Sequence, residues 1–99
     1  MIGLEVMFKI YPGKRTEFLL AVDIMKEASH LEEKRIGMQL FELVSESNTF
    51  LWLEHWEDSE FLNHYCKEYK FRALMGAIDI LGKLIHKRTL LITEESANE

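Results

Sequence analysis

Four histidines, one cysteine and a set of carboxylates carry the reactive groups of this chain. His64 is the most suggestive of them, because Glu60 and Glu68 stand four residues away on either side. On a helix those positions are neighbours, so a carboxylate can orient the imidazole and raise its basicity, which is how a general base is built. The same spacing also describes an ordinary half-exposed helical histidine, or one at an interface between copies. Glu5, Glu42 and Glu54 sit in alternating, largely apolar segments. Facing inward, such carboxylates have raised pKa values and serve as acids or bases; at the rim of a barrel they are simply solvated. Trp52 and Trp56 offer flat indole walls for an aromatic ligand, each with one N–H for a polar atom, and they also suit core or dimer packing. His55 alternates with them and should point to the opposite sheet face, as a packed or interfacial histidine.

Other chemistries find no foothold. His30, His55, His64 and His86 show neither an HExxH pattern nor i,i+4 pairing, and Cys66 stands alone, so no metal is expected. A GxSxG elbow, a P-loop and a GxGxxG turn are all missing, which removes the common hydrolase, phosphate-loop and dinucleotide readings. Cys66 lies two residues from His64, and i,i+2 positions on a helix do not face each other, so a thiol nucleophile is disfavoured.

The elements that must position these groups follow from periodicity. Ile2, Leu4, Val6, Phe8 and Ile10 recur at every second position, the pattern of a strand with one apolar face. Tyr11 to Lys14 holds the only proline and a glycine, and reads as a turn. From about Lys14 to Arg35, Phe18, Ala21, Val22, Met25 and Ala28 fall at helical spacing, with a solvated charge run from Glu32 to Arg35 and Gly37 at the connection to the next strand. Met38 to Ser45 and Phe50 to Trp56 read as a hairpin around Glu46-Ser47-Asn48-Thr49. Asp58 or Ser59 caps a second helical region. Its apolar set changes phase between Phe61/Tyr65 and Phe71/Leu74/Ile78/Leu81, which predicts a break at Cys66 to Lys70. Gly82 marks the helix end, and Leu84 to Thr93 returns to strand.

The order is strand, helix, strand, strand, helix, strand, so the expected fold is α+β: a ferredoxin-like βαββαβ unit with an antiparallel four-stranded sheet and helices on one face. Ninety-nine residues fit one domain, here 1–93, followed by a polar tail, 94–99, expected to be disordered. A net charge of −5, with no basic cluster, argues against a nucleic-acid partner. No segment has the length and polarity of a membrane span or the layout of a signal peptide, and one cysteine suits a reducing compartment, so the cytoplasm is the expected location.

One layer of helices leaves a sheet face uncovered. Assigning Leu51 and Leu53 to the helix side places Phe50, Trp52, Glu54 and Trp56, with Leu40 and Glu42, on the open side. Such a patch is large enough to demand a second copy of the chain, and the closure predicts a homodimer with an aromatic-lined cavity.

These residues resemble the antibiotic biosynthesis monooxygenase-like superfamily of dimeric α+β barrels. The likeness runs from Ile2 to about Thr93 and is carried by Tyr11-Pro12-Gly13-Lys14, Glu17-Phe18, Phe41-Glu42-Leu43 and Leu53-Glu54-His55-Trp56-Glu57-Asp58, followed by Phe61, His64 and Phe71. It implies a homodimer that takes a small molecule between helices and sheet or in the barrel interior. Some members oxygenate aromatic polyketides without metal or flavin, the electron-rich ring itself reducing oxygen; others degrade haem, modify signalling molecules or have no known activity. The haem-degrading pattern is not met, since Met75 falls near its axial histidine position and Glu5 or Met7 near its pocket asparagine. The expectation is a cofactor-independent monooxygenase or related enzyme with His64 as catalytic residue and Trp52, Trp56, Glu54, Glu5 and Phe71 binding substrate. The alternative is a non-catalytic dimeric ligand-binding or scaffolding domain.

Overall fold

The computed structural model describes residues 1–25 and 35–93, the side chain of Met25 excepted. The chain runs β1 (Ile2–Ile10), α1 (Arg15–Met25), β2 (Arg35–Glu42), β3 (Thr49–Trp56), α2 (Ser59–Cys66), α3 (Tyr69–Leu81) and β4 (Gly82–Leu91). The strands form one sheet in the order β2-β3-β1-β4, antiparallel throughout. This is the expected α+β, ferredoxin-like arrangement. α3 packs against α1, β1 and β4, while α2 packs against β3. Among the described residues no helix is long and apolar enough to cross a membrane.

Strict alternation in β1 sends Leu4, Val6, Phe8 and Ile10 under the helices, where each is fully buried. Burial of side chains of this size contributes about 1.5–3 kcal/mol apiece. Phe8, Phe18 and Phe50 form one aromatic cluster, with ring centroids 5.1 to 5.7 Å apart. Trp56, Tyr65 and Phe71 form another, at 4.8 and 5.4 Å.

The β1–β3 register overturns the expected faces of β3. Trp52 lies opposite Val6, Glu54 opposite Leu4 and Trp56 opposite Ile2. Residues directly opposite in an antiparallel pair share a face, so Phe50, Trp52, Glu54 and Trp56 point at the helices and are buried. Leu40, opposite Trp52, and Glu42, opposite Phe50, join them. The open face carries Leu51, Leu53 and His55 instead, beside Glu5, Met7 and Lys9.

Boundaries moved where charge hid a strand. β2 begins at Arg35 and stops at Glu42, because Arg35 pairs opposite Trp56 and a register shift before Gly37 sets Ile36 aside as a bulge. The remainder of the expected first helix and the 94–99 tail fall outside the described residues. The break in the second helical region is present: Lys67 and Glu68 turn back with their N–H groups bonded to the carbonyls of His64 and Tyr65 at 3.1 and 2.9 Å. Asp58 is the cap, its Oδ1 accepting the Phe61 N–H at 3.0 Å.

Candidate functional site

The strand period of two places Trp52, Glu54 and Trp56 side by side on the helix-facing surface of β3. Glu54 has no exposed area. Its Oε2 accepts the indole N–H of Trp52 at 2.6 Å, and its Oε1 accepts that of Trp56 at 3.0 Å and Nη1 of Arg35 at 3.4 Å. A carboxylate buried without such partners costs several kcal/mol or more, roughly, in lost hydration; here both oxygens are engaged. Arg35 reaches it because Arg35 and Trp56 are cross-strand partners.

Helices close the site from above. Tyr65 of α2 packs on Trp56, and Phe71 of α3 packs on Tyr65. Lys87 of β4 holds its Nζ 5.4 Å from the centroid of the Phe71 ring. A cavity of about 10 Å³, lined by Arg35, Met38, Trp52, Tyr65, Lys70 and Leu74, adjoins the network through Arg35 and Trp52. That is room for about one water molecule. The lining pairs two cationic side chains with flat aromatic walls, a setting that favours an anionic oxygen on a planar ligand.

Of the residues expected in the site, Trp52, Trp56, Glu54 and Phe71 lie together. Glu5 lies on the opposite sheet face. There its Oε2 accepts from His86 Nε2 at 2.8 Å and Arg88 Nε at 2.6 Å. The His86 bond, with help from Arg88 and against some desolvation, holds the Glu5 carboxyl below the ordinary glutamate range, the reverse of the raised value expected for an inward acid. Glu42 is lowered too, first by its bond from Arg15 and then by the Asn48 backbone N–H, which donates to Oε2 at 2.8 Å. It serves the β2–β3 turn, where Asn48 adopts φ 64°.

His64 stands on the exposed side of α2 and bonds through its ring to no other described residue. Its imidazole donates to neither Glu60 nor Glu68. His55 faces the open side of the sheet, opposite Gly3. Among the described residues no group of three or more His, Cys, Asp and Glu side chains converges in a way that could hold a metal ion. Arg35 and Lys70 are the site residues that sequence reasoning passed over. Arg35 was concealed in a charge run, and only its pairing with Trp56 brings it to Glu54.

Comparison with other proteins places this geometry in context. The model of the antibiotic biosynthesis monooxygenase family matches residues 1–77. The Bacillus subtilis (strain 168) protein YcnE, which carries a provisional monooxygenase name, is 35% identical over 76 residues, covering 77% of this chain and 80% of that protein. A conserved protein from Bacteroides thetaiotaomicron VPI-5482 superposes with a TM-score of 0.76 at 24% identity, over 90% of this chain and 94% of the other. SnoaB from Streptomyces nogalater, a cofactor-independent oxygenase, superposes with a TM-score of 0.75 at 12% identity, over 99% and 97% of the two chains. At these identities the structural likeness shows the shared fold.

Proposed function

The chain belongs to the antibiotic biosynthesis monooxygenase family, and from that premise we propose that it is a cofactor-independent monooxygenase acting on an electron-rich aromatic substrate at the Glu54 site. The observation that carries this reading is the buried Glu54 carboxylate, bonded to two indoles and a guanidinium between sheet and helices. In such a reaction a phenolic ring supplies the electrons. An aromatic C–H becomes C=O, one atom of O₂ enters the product, the other leaves as water, and the phenol is carried to a quinone.

The residues divide the work by their chemistry. Arg35 and Lys70 favour the phenolate over the phenol, which raises the electron density that O₂ must draw upon. Trp52 lines the cavity and offers its indole for stacking, while Trp56 lies packed against Tyr65, with Phe71 behind. Glu54 is a positioning residue: it sets the orientation of both indoles and of Arg35. Admission of a ring to so small a space requires Met38 and Lys70 to swing aside, which their unbranched side chains permit.

We further propose a homodimer closed over the open sheet face. Phe41 is 47% exposed there, and Leu51 and Leu53 stay half-buried in the single chain. Sedimentation at micromolar concentration tests this; a stable single chain overturns it.

The catalytic test is oxygen uptake with dihydroxynaphthalenes. Turnover is expected to fall at least tenfold in Glu54→Gln and to stay within about twofold in His64→Ala, since loss of a true general base costs about 10²-fold or more. A large loss in His64→Ala would move the base to His64. A small molecule recovered with the protein and returned unaltered, with no oxygen uptake, would favour a non-catalytic ligand-binding domain.

A further inference from the structure

One wall of the small cavity beside Glu54 is also a wall of a much larger space. Between α1 and β2, Leu19, Val22, Asp23, Met38 and Leu40 line a cleft of about 510 Å³ that opens to solvent. Building on the function proposed above, we infer that Met38 determines specificity: it is the movable partition between this cleft and the Glu54 cavity, and it admits planar substrates long enough to occupy both, polar end inward.

Three features carry the inference. The first is the shared wall: among the described residues Met38 alone lines both spaces. The second is alignment. Met38 pairs with Glu54 and Leu40 with Trp52, so both turn toward the helices with those residues, away from the sheet face that a second copy would cover. Same-face neighbours on a strand stand about 7 Å apart, so the two spaces follow one another along β2. The third is mobility. Met38 is half-buried, and its unbranched side chain changes rotamer where a β-branched one is stiff.

Size and charge give the direction of entry. The inner cavity, about 10 Å³, has Arg35 and Lys70 in its walls but room for about one water. The cleft falls in the range of about 300–1,000 Å³ usual for small-molecule sites. Its only charged lining group among the described residues is the exposed Asp23 carboxylate, which repels a phenolate. Each space supplies what the other lacks. A phenol that enters oxygen-first sets its oxygen against the two cations and leaves its trailing rings between Leu19, Val22 and Leu40. The trailing end must be free of negative charge, because Asp23 borders it.

The probes are phenol, 2-naphthol and 2-anthrol, a linear series of one, two and three fused rings. Binding to the full chain is followed in the absence of oxygen by stopped-flow quenching of tryptophan fluorescence, so that it is read apart from turnover. Affinity in the parent is expected to rise at least about tenfold from phenol to 2-anthrol. Leu40→Phe and Leu19→Phe, on opposite walls of the cleft, should each weaken 2-anthrol about fivefold and leave phenol within about twofold. Met38→Ile should slow the association of 2-naphthol about fivefold and Met38→Ala should speed it, as for a step gated by one side chain. Equal effects on phenol and 2-anthrol, association unchanged in both Met38 variants, or no quenching by any probe would each overturn the proposal. Length-dependent, Met38-gated binding without oxygen uptake would uphold the partition and sink the monooxygenase reading; oxygen uptake with association indifferent to Met38 would do the reverse.

Discussion

Trp52 donates its indole N–H to Glu54 Oε2 across 2.6 Å, from two positions earlier in the same strand. Trp56 donates from two positions later, so three alternate residues of β3 build most of their own polar network inside an apolar core. Glu54→Gln keeps the volume but turns an amide NH₂ toward one of these donors. Leaving buried groups unsatisfied in this way costs about 1–3 kcal/mol. The urea midpoint should fall accordingly; an unchanged midpoint would mean that the bonds contribute nothing net.

Gly82 ends α3 and opens β4 where the chain presses on β1. An added Cβ would lie 2.1 Å from the Lys9 carbonyl oxygen and 2.9 Å from Ile10 Cα, both backbone atoms. Gly82→Ala is therefore expected to destabilise by about 3 kcal/mol, at the upper end for overpacking. Gly37→Ala is the control, since its Cβ would meet nothing within 4 Å. Chemical denaturation of the two variants should separate them clearly; similar midpoints would show that the β1–β4 junction gives way freely.

Glu5, bound by His86 and Arg88, has a carboxyl held below its reference value of 4.5. A folded-state pKa below the unfolded one means that the unfolded chain binds the proton more readily. The stabilisation is present above the unfolded value and is lost as pH falls through the folded one. Denaturation midpoints between about pH 6 and pH 3, the carboxyl titration window, should decline less steeply in Glu5→Gln than in the parent. Parallel pH profiles would remove the cluster from the acid limb.

Cys66 closes α2 half-buried, and burial pushes its thiol up, with Lys87 opposing and Glu54 adding to the rise. Since the thiolate is the reactive form, iodoacetamide at pH 8 should alkylate Cys66 more slowly than a free thiol in solution. A rate equal to or above that of glutathione would contradict the burial.

Much of the fold was open to reading from the residues alone. The clean alternation from Ile2 to Ile10, the turn at Pro12-Gly13, the Asp58 cap and the phase change around Cys66 each act through neighbours in sequence, and each appears where local chemistry puts it. The start of β2 did not yield to the same reasoning. Arg35 looks like the end of a charged helix, and its strand character exists only through pairing with Trp56.

The site divides along the same line. Alternation established that Trp52, Glu54 and Trp56 share one face of their strand and that Leu51, Leu53 and His55 share the other. Which set meets the helices was decided by tertiary pairing with β1, as was the company each residue keeps: Arg35 beside Glu54, Glu5 with His86 and Arg88, His64 in water. The reason is physical. A strand of period two specifies its two faces but not their sense, and when both are rich in apolar groups hydrophobicity does not choose between them. The choice falls to register, a property of two strands together and of neither by itself.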